Sequence, residues 1–570
     1  MPSSPTEVSH NLKRLQPLID SIRSISGAPG VAVGVIHNHA IVYEQYHGYR
    51  DKEHMLRVDR DTIFYVASLT KAITATAMGI LVDRGLLQWT TPVHNILPEM
   101  SRMTELYAAK PTVVDILSHR TGKAWADALY LQSNNRILLS KDQSIPIFDY
   151  LSQLEPVRTK YMYNNHAYNI AGLVIERVSG MRWDEFIARN IFSPLEMTRS
   201  FTHHPDDENV AIPYNILTNG DPWKLPFCNV SNETMMFAGQ SVRTSMSDLL
   251  KYSRAYLDAL ATITPTTRSS TSRINKYSEL PSKVCRGLTK CLGARGKILQ
   301  KNTPSEVSPG FAIDNPIRQI VTIVRPHIPR LVDSALEQTY GLGWNRTQLP
   351  GSLDFGWNQE AVQPFPLLGE RYPGKLVIWH GGNMPGTTAA ICLLPESGTA
   401  VVVLQNSLGL CDAADWICQL IIDTIFLGEP AQDYLSLAER SVANGLDRMK
   451  QVEDQLQRER ISGTQHRPLE TYCGTYFYRI QSWFINIGLD DKKELYLEFL
   501  GRSDERYKLR HYHYDTFSWN LSYDELVKRG QYIRECEYYK LEFEFHELGH
   551  ISYLRWRHDK SVPEGELFWK

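Results

Sequence analysis

Residues 72–82 are apolar on every side, interrupted only by Thr74, Thr76 and Gly79. A helix with that pattern does not lie on a surface; it is enclosed by other elements, so the chain has to build a large core around it. At 570 residues it is long enough to do so, with room for two or more domains. The residues leading in, Phe64-Tyr65-Val66-Ala67-Ser68-Leu69-Thr70-Lys71, set Ser68 and Lys71 three positions apart and on one helical face. Ser68 then sits in the first turn, in the positive field of the helix N-terminus with free backbone N–H groups close by. Lys71, one turn on, is drawn into an apolar interior and pushed toward the neutral amine, the form that accepts a serine proton.

Hydrophobic residues make up 42% of the chain, charged ones 22%, and the formal net charge is -2, which indicates neither nucleic acid nor an anionic membrane as a partner. The polar start leads into an amphipathic pattern through Leu12, Leu15, Leu18, Ile19 and Ile22, with no signal-peptide core and no bilayer-length apolar run. That predicts an intracellular, cytoplasmic protein. The eight cysteines are scattered without a Cys-x-x-Cys pair and read as reduced packing thiols.

Residues 30–36 and 41–48 read as two strands joined by a short turn at 37–40. Gly85 closes the Ser68 helix, and Thr112 caps a helix over 113–119 with Asp115 in capping-box position. Residues 169–178 form another apolar helix, ended by Ser179-Gly180. Between Arg268 and Lys301 nine Lys or Arg stand against one acid, Glu279. That stretch, within about 261–310, reads as a solvated insertion, with a lid over the site as the sharper alternative. Apolar strands follow at 376–380, 387–395 and 400–404, then a long helical pattern over 431–460 and a linker at 463–468. The remaining residues alternate with period two and are rich in aromatics, which predicts a separate antiparallel β domain not needed for chemistry at Ser68.

Two further groups carry chemistry. In Tyr161-Met162-Tyr163-Asn164-Asn165, Tyr163 is a poor base at its ordinary pKa near 10, but a neighbouring ammonium can lower that value enough for proton relay. Asn165 offers an amide to the substrate's carbonyl side. In His380-Gly381-Gly382-Asn383, at the end of an apolar strand, the paired glycines let a ligand lie along the strand edge. There the N–H groups of Asn383 and Ser68 can form an oxyanion hole. His546-Glu547-Leu548-Gly549-His550 spells a zinc-protease string, but that chemistry needs a helix. Its flanks alternate as strands and Gly549 fits a turn, so no metal is assigned.

Taken in order, Ser68-Leu69-Thr70-Lys71, Tyr163-Asn164-Asn165 and His380-Gly381-Gly382 resemble the three active-site motifs of the serine β-lactamase and penicillin-binding-protein family, in its class C and esterase/transesterase branch. Ile116 through Gly122, Ala238-Gly239-Gln240-Ser241-Val242 and Tyr340-Gly341-Leu342-Gly343-Trp344 look like that family too. The resemblance implies a mixed α/β (α+β) fold of the β-lactamase/transpeptidase type over residues 1–428, an antiparallel sheet flanked by helices with a helical subdomain. A helical linker at 429–467 and a small barrel-like antiparallel domain at 468–570, similar to a lipocalin-like domain, complete the expectation. It further implies Ser68 as nucleophile, Lys71 and Tyr163 as a coupled base, and Asn165, His380, Gly381, Gly382 and Asn383 around the substrate. The third motif departs from Lys-Thr-Gly: a mostly neutral His380 attracts an anion less well, which favours ester, thioester or amide substrates. The expected activity is hydrolysis of an ester, amide or lactam of a small molecule or peptide, with no cofactor. Acyl transfer to a small-molecule hydroxyl or amine is the alternative, and a catalytically inactive binding protein the remaining class.

Overall fold

Strand Gly30–His37 sends Val31, Val33 and Val35 into one buried layer and Ala32 and Ile36 into another, so both of its faces are covered. The computed structural model describes residues 4–100, 110–263, 315–331, 336–547 and 549–570; the basic run at 268–301 lies outside the described residues. Within them, Gly30–His37 is the third strand of a nine-stranded antiparallel sheet. The order runs Leu56–Arg57, Ala40–Asp51, Gly30–His37, Thr399–Gln405, Thr387–Leu394, Leu376–Met384, Asn345–Gln348, Gln338–Tyr340, Ile328–Pro329. Asn38 and His39, both at positive φ, close the expected turn between the first two long strands.

Helices Pro5–Arg14, Gln16–Ile25 and Ala413–Leu427 cover one face. The sequence reading placed no helix at 413–427: nearly every residue there is buried, so no amphipathic stripe marks it. Helix Met246–Ala261 packs on the other face, and beyond it lies the enclosed helix Thr70–Asp83, in which Ala72, Ala75, Ala77, Met78 and Leu81 are at most 2% exposed. Its threonines survive burial because each is satisfied. Thr70 Oγ1 accepts from Val242 N–H at 3.0 Å, Thr74 Oγ1 donates to Ala238 C=O at 2.6 Å, and Thr76 Oγ1 donates to Ala72 C=O at 3.0 Å. The first two bonds fasten the segment around Gly239 and Gln240 beside the start of the helix. Helix Asn165–Ser179 begins earlier than expected, because Asn164 caps it by accepting from Ala167 N–H at 2.9 Å.

After helix Tyr434–Glu459 a second nine-stranded antiparallel sheet runs Arg506–Lys508, Leu495–Phe499, Phe484–Leu489, Gly474–Phe477, Glu566–Trp569, Ile551–Trp556, Lys540–Phe545, Thr516–Ser518, Arg510–His513. Its two end strands are separated in sequence by Leu509 alone, so the sheet curls round into a nearly closed barrel. Trp483, Phe499, Trp519, Trp556 and Phe568 fill it, each at most 1% exposed. The zinc-protease string falls in the turn between Lys540–Phe545 and Ile551–Trp556: His546 N–H donates to His550 C=O at 2.8 Å and Gly549 takes φ 87°. Its two imidazoles stack across a hairpin, their centroids 4.9 Å apart, instead of sharing a helical face. No helix among the described residues is long and apolar enough to cross a membrane.

Candidate active site

Ala67–Leu69 forms a single 3₁₀ turn ahead of helix Thr70–Asp83, entered through Ala67 at φ 44°. Ser68 thus lies just before the α-helix rather than inside its first turn, and remains 8% exposed. Two side chains converge on its Oγ. Lys71 Nζ lies 2.9 Å away and also donates to Gly239 C=O at 3.2 Å; Tyr163 donates its hydroxyl proton to Ser68 Oγ at 3.0 Å. Tyr163 is held by the Asn164 cap and by His119: the Tyr163 and His119 rings sit 4.3 Å apart, and Asn164 N–H donates to His119 Nδ1 at 3.1 Å.

Burial moves the two groups in opposite directions. Desolvation brings Lys71, which is fully buried, down to about 7, with the nearby Asp127 charge opposing it. Desolvation pushes Tyr163 well above the ordinary phenol range, opposed in part by its hydrogen bond to Ser68. The expectation of a lowered Tyr163 is therefore corrected: burial outweighs the neighbouring amine, which lies over the ring at 5.0 Å from its centroid. Lys71 is the group that loses its proton near neutrality, and Tyr163 is the group that keeps one.

The third motif lies inside a strand, not at its end. Leu376–Met384 runs through His380, Gly381, Gly382 and Asn383, and all four pair with Thr387–Leu394. Both glycines answer close backbone approaches. A Cβ on Gly381 would overlap the carbonyl oxygen of Phe355, and one on Gly382 would overlap that of Val66, two residues before Ser68. This contact lays the strand against the nucleophile turn. His380 is neutral: its Nδ1–H donates to Gly381 C=O at 2.6 Å and its Nε2 accepts from Tyr340 OH at 3.1 Å, while burial and the Lys71 charge press it down to about 3. The Asn383 side chain donates to Phe355 C=O at 3.1 Å.

Asn165 lies in the site, lining the same cleft as Ser68. Its Nδ2 is already engaged, donating to Asp127 Oδ2 at 2.8 Å and to Tyr130 OH at 3.3 Å. Sequence reasoning missed Asp127, although a lone carboxylate in the apolar run Ala124-Trp125-Ala126-Asp127-Ala128-Leu129 was the available signal. Burial raises Asp127 to about 7, opposed by Arg534 and by its hydrogen bonds. Ser68, Tyr163, Asn165, His380 and Asn383 all line one cleft of about 960 Å³.

Tyr532, Arg534, His558 and Asp559 of the second β unit line that same cleft. Asp559 Oδ2 accepts from Ala126 N–H at 2.8 Å, Trp483 Nε1 donates to Leu129 C=O at 2.7 Å, and Tyr538 OH donates to Gln132 Oε1 at 2.6 Å. The second β unit thus supports the loop that carries Asp127 and supplies part of the cleft wall.

Residues 15–291 match the family model described as Beta-lactamase, and residues 459–568 match a Domain of unknown function (DUF3471). The chain is 31% identical to Unguisins hydrolase ungD of Aspergillus violaceofuscus over 183 residues, 31% of this chain and 32% of that protein. It is 24% identical over 360 residues to Unguisins hydrolase ungD' of Aspergillus campestris, covering 61% and 53%. With the Putative penicillin-binding protein PbpX of Bacillus subtilis the figures are 25% over 234 residues, 41% and 56%. The match thus spans at most 56% of any of these three relatives. The structure of the octameric penicillin-binding protein homologue from Pyrococcus abyssi aligns with a TM-score of 0.53 at 18% identity, over 98% of this chain and 99% of that one, a likeness of fold. Residues 15–291, which carry Ser68, Lys71 and Tyr163, are thus similar to the Beta-lactamase family, and residues 459–568 to a Domain of unknown function (DUF3471).

Proposed function

We propose that this protein is a serine hydrolase that cleaves an amide, ester or lactam through a covalent acyl-Ser68 intermediate. One observation carries the reading: Ser68 Oγ stands 2.9 Å from Lys71 Nζ and 3.0 Å from the Tyr163 hydroxyl at the wall of a cleft. Lys71, as a free amine, takes the Ser68 proton while Oγ attacks the acyl carbon. The main-chain N–H groups of Ser68 and Asn383 hold the oxygen that becomes negative. Tyr163 passes its proton to the leaving group and regains one from the Lys71 ammonium, so the two act as one proton-handling unit. Water then attacks the acyl-serine, the same unit removing its proton and returning one to Ser68 Oγ.

A neutral His380 in the third motif supports the class C and esterase branch, and substrates without a carboxylate over anionic β-lactams. Two relatives named as hydrolases accord with water as the acyl acceptor. The nearly closed second sheet accords with a lipocalin-like C-terminal unit.

A serine-directed phosphonate adds its mass at Ser68, located by peptide mapping, and Ser68→Ala removes the adduct. Labelling that persists in the variant sinks the nucleophile assignment. The pH dependence follows from Lys71, which acts only when deprotonated: single-turnover acylation climbs with pH and levels off above about 7. A rate that stays flat between about pH 5 and 9 removes Lys71 from the role of base.

A further inference from the structure

Arg534, half-buried in the wall that the second β unit gives to the cleft, has no counter-ion. Its guanidinium lies over the rings of Trp125, Tyr532 and Tyr538, 5.0–5.7 Å from their centroids, and makes no hydrogen bond or ion pair among the described residues. Other arginines of the cleft are engaged: Arg330 and Arg448 hold Asp354 and Glu535, each at 2.9 Å, and Arg557 is paired with Glu542. Close enough to feel the Arg534 charge, His558 is 4% exposed, and neither its Nδ1 nor its Nε2 has a protein partner. Burial lowers the pKa of His558 against Glu566 and Asp559, so the ring is neutral and has one N–H to give. A planar guanidinium without an acceptor, next to an unbonded imidazole, fits a carboxylate, which takes two guanidinium N–H groups at once.

The acids nearby do not fill that place. Asp559 accepts from the N–H groups of Ala126 and Ser561, each at 2.8 Å, and Asp127 accepts from Asn165 and keeps its proton up to about 7 because it is buried. The position along the cleft follows from which group feels which arginine. Arg330 acts on His380, and Arg534 acts on Asp127. The Tyr163 and His380 rings are 6.4 Å apart, so the proton donor to the leaving group stands at the Arg330 end. The acyl part then runs past Asp127 toward Arg534. A leaving-side carboxylate gains little from neutral His380, whereas one on the acyl side meets an unpaired cation.

We propose that Arg534 and His558 form a subsite for a carboxylate carried on the acyl part of the substrate, so that half-esters, half-thioesters or half-amides of dicarboxylic acids are preferred acyl donors. This rests on the acyl-Ser68 reading above: the Oγ–acyl bond forms as the bond to the leaving group breaks, and the leaving group departs with the proton from Ser68. The test compares glutaryl, adipyl and pimelyl half-thioesters of one thiol with the same compounds carrying a terminal carboxamide, a neutral group of nearly the same shape. Each kcat/KM is normalised to the compound's spontaneous hydrolysis, and acyl-Ser68 is followed by intact mass. The wild-type enzyme is expected to favour carboxylate over carboxamide by about tenfold or more for at least one chain length, the size of a hydrogen bond to a charged group. Arg534→Gln should bring that ratio within about threefold, while Arg534→Lys, which keeps the charge but not the fork, should keep part of it. Because the ratio compares two substrates on one enzyme, a general loss of rate does not move it. A wild-type ratio below about tenfold at every chain length, with acyl-Ser68 formed, overturns the subsite and leaves the acyl-serine reading standing. A ratio unchanged in Arg534→Gln overturns it too. So does a carboxylate preference that appears only on the leaving side, read with acetyl thioesters of 3-mercaptopropionate and its amide. Failure of every thioester, carboxamides included, to acylate Ser68 takes down the underlying reading and the subsite with it.

Discussion

Lys71→Ala lowers single-turnover acylation by about 10²–10⁴-fold, the range a positioned general base contributes. The reason is the division of labour at Ser68: desolvation makes Lys71 the amine that is free near neutrality, while Tyr163 retains its proton. Tyr163→Phe then separates by leaving group. On an amide, whose nitrogen must be protonated to depart, it costs about as much as Lys71→Ala; on a p-nitrophenyl ester, whose phenolate leaves unaided, it costs little. On the amide the double mutant falls little further than Lys71→Ala alone, because groups that act as a unit are not additive. Stopped-flow acylation of the four proteins on both substrates gives the answer. Multiplicative losses on the amide would mean independent roles, and equal Tyr163→Phe losses on both substrates would remove Tyr163 as the proton donor to the leaving group.

Gly382→Ala lowers acylation by about 10²-fold, the scale of an ångström-sized displacement of reacting groups. The added Cβ meets the Val66 carbonyl, so strand Leu376–Met384 and the Ser68 turn must part, and both proposed oxyanion donors move with them. Gly381→Ala meets the Phe355 carbonyl on the strand's other side and destabilises the fold as well, by about 1–3 kcal/mol if the backbone yields as overpacked cores do. Gly445→Ala is the control. It lies in helix Tyr434–Glu459 with only Leu410 C=O at 3.5 Å, an ordinary contact, and should gain about 0.5–1 kcal/mol from helix propensity. Thermal unfolding and acylation rates measured together separate these outcomes. A Gly382→Ala enzyme acylating at the wild-type rate would show that the strand–turn contact does not set the geometry at Ser68.

The cluster around Ser68 was legible because its residues sit at element boundaries that sequence marks well. Ser68 precedes, and Lys71 lies in the first turn of, a helix apolar nearly all round, and Tyr163 precedes an asparagine-capped one. The sheet was legible from the apolar runs at Gly30–His37 and around residue 400. What local pattern could not carry was long-range. Asp127 opens the short turn Asp127–Leu129, which Tyr130 caps, with no period to announce it, and its partners Asn165 and Arg534 come from two distant places in the chain. The extension of strand Leu376–Met384 through two glycines was hidden because paired glycines read locally as a strand's end. The inward-facing residues of the second β unit were hidden for another reason: Trp483 and Tyr538 look like any barrel aromatics until their polar atoms are seen to bond across the domain junction.

Those cross-domain bonds also set an order of events during biosynthesis. Asp559, Trp483 and Tyr538 hold Ala126, Leu129 and Gln132 from 433, 354 and 406 positions away. Once Thr399–Gln405 has been translated, the first sheet has all its strands and Ser68, Lys71, Tyr163 and His380 can come together. Asp559 leaves the ribosome roughly 150 residues later, on the order of 10–30 s at usual elongation rates. A chain stalled in that interval can bring Ser68, Lys71 and Tyr163 together but carries an unfinished wall beside them, so the cleft takes its final shape only near the end of synthesis.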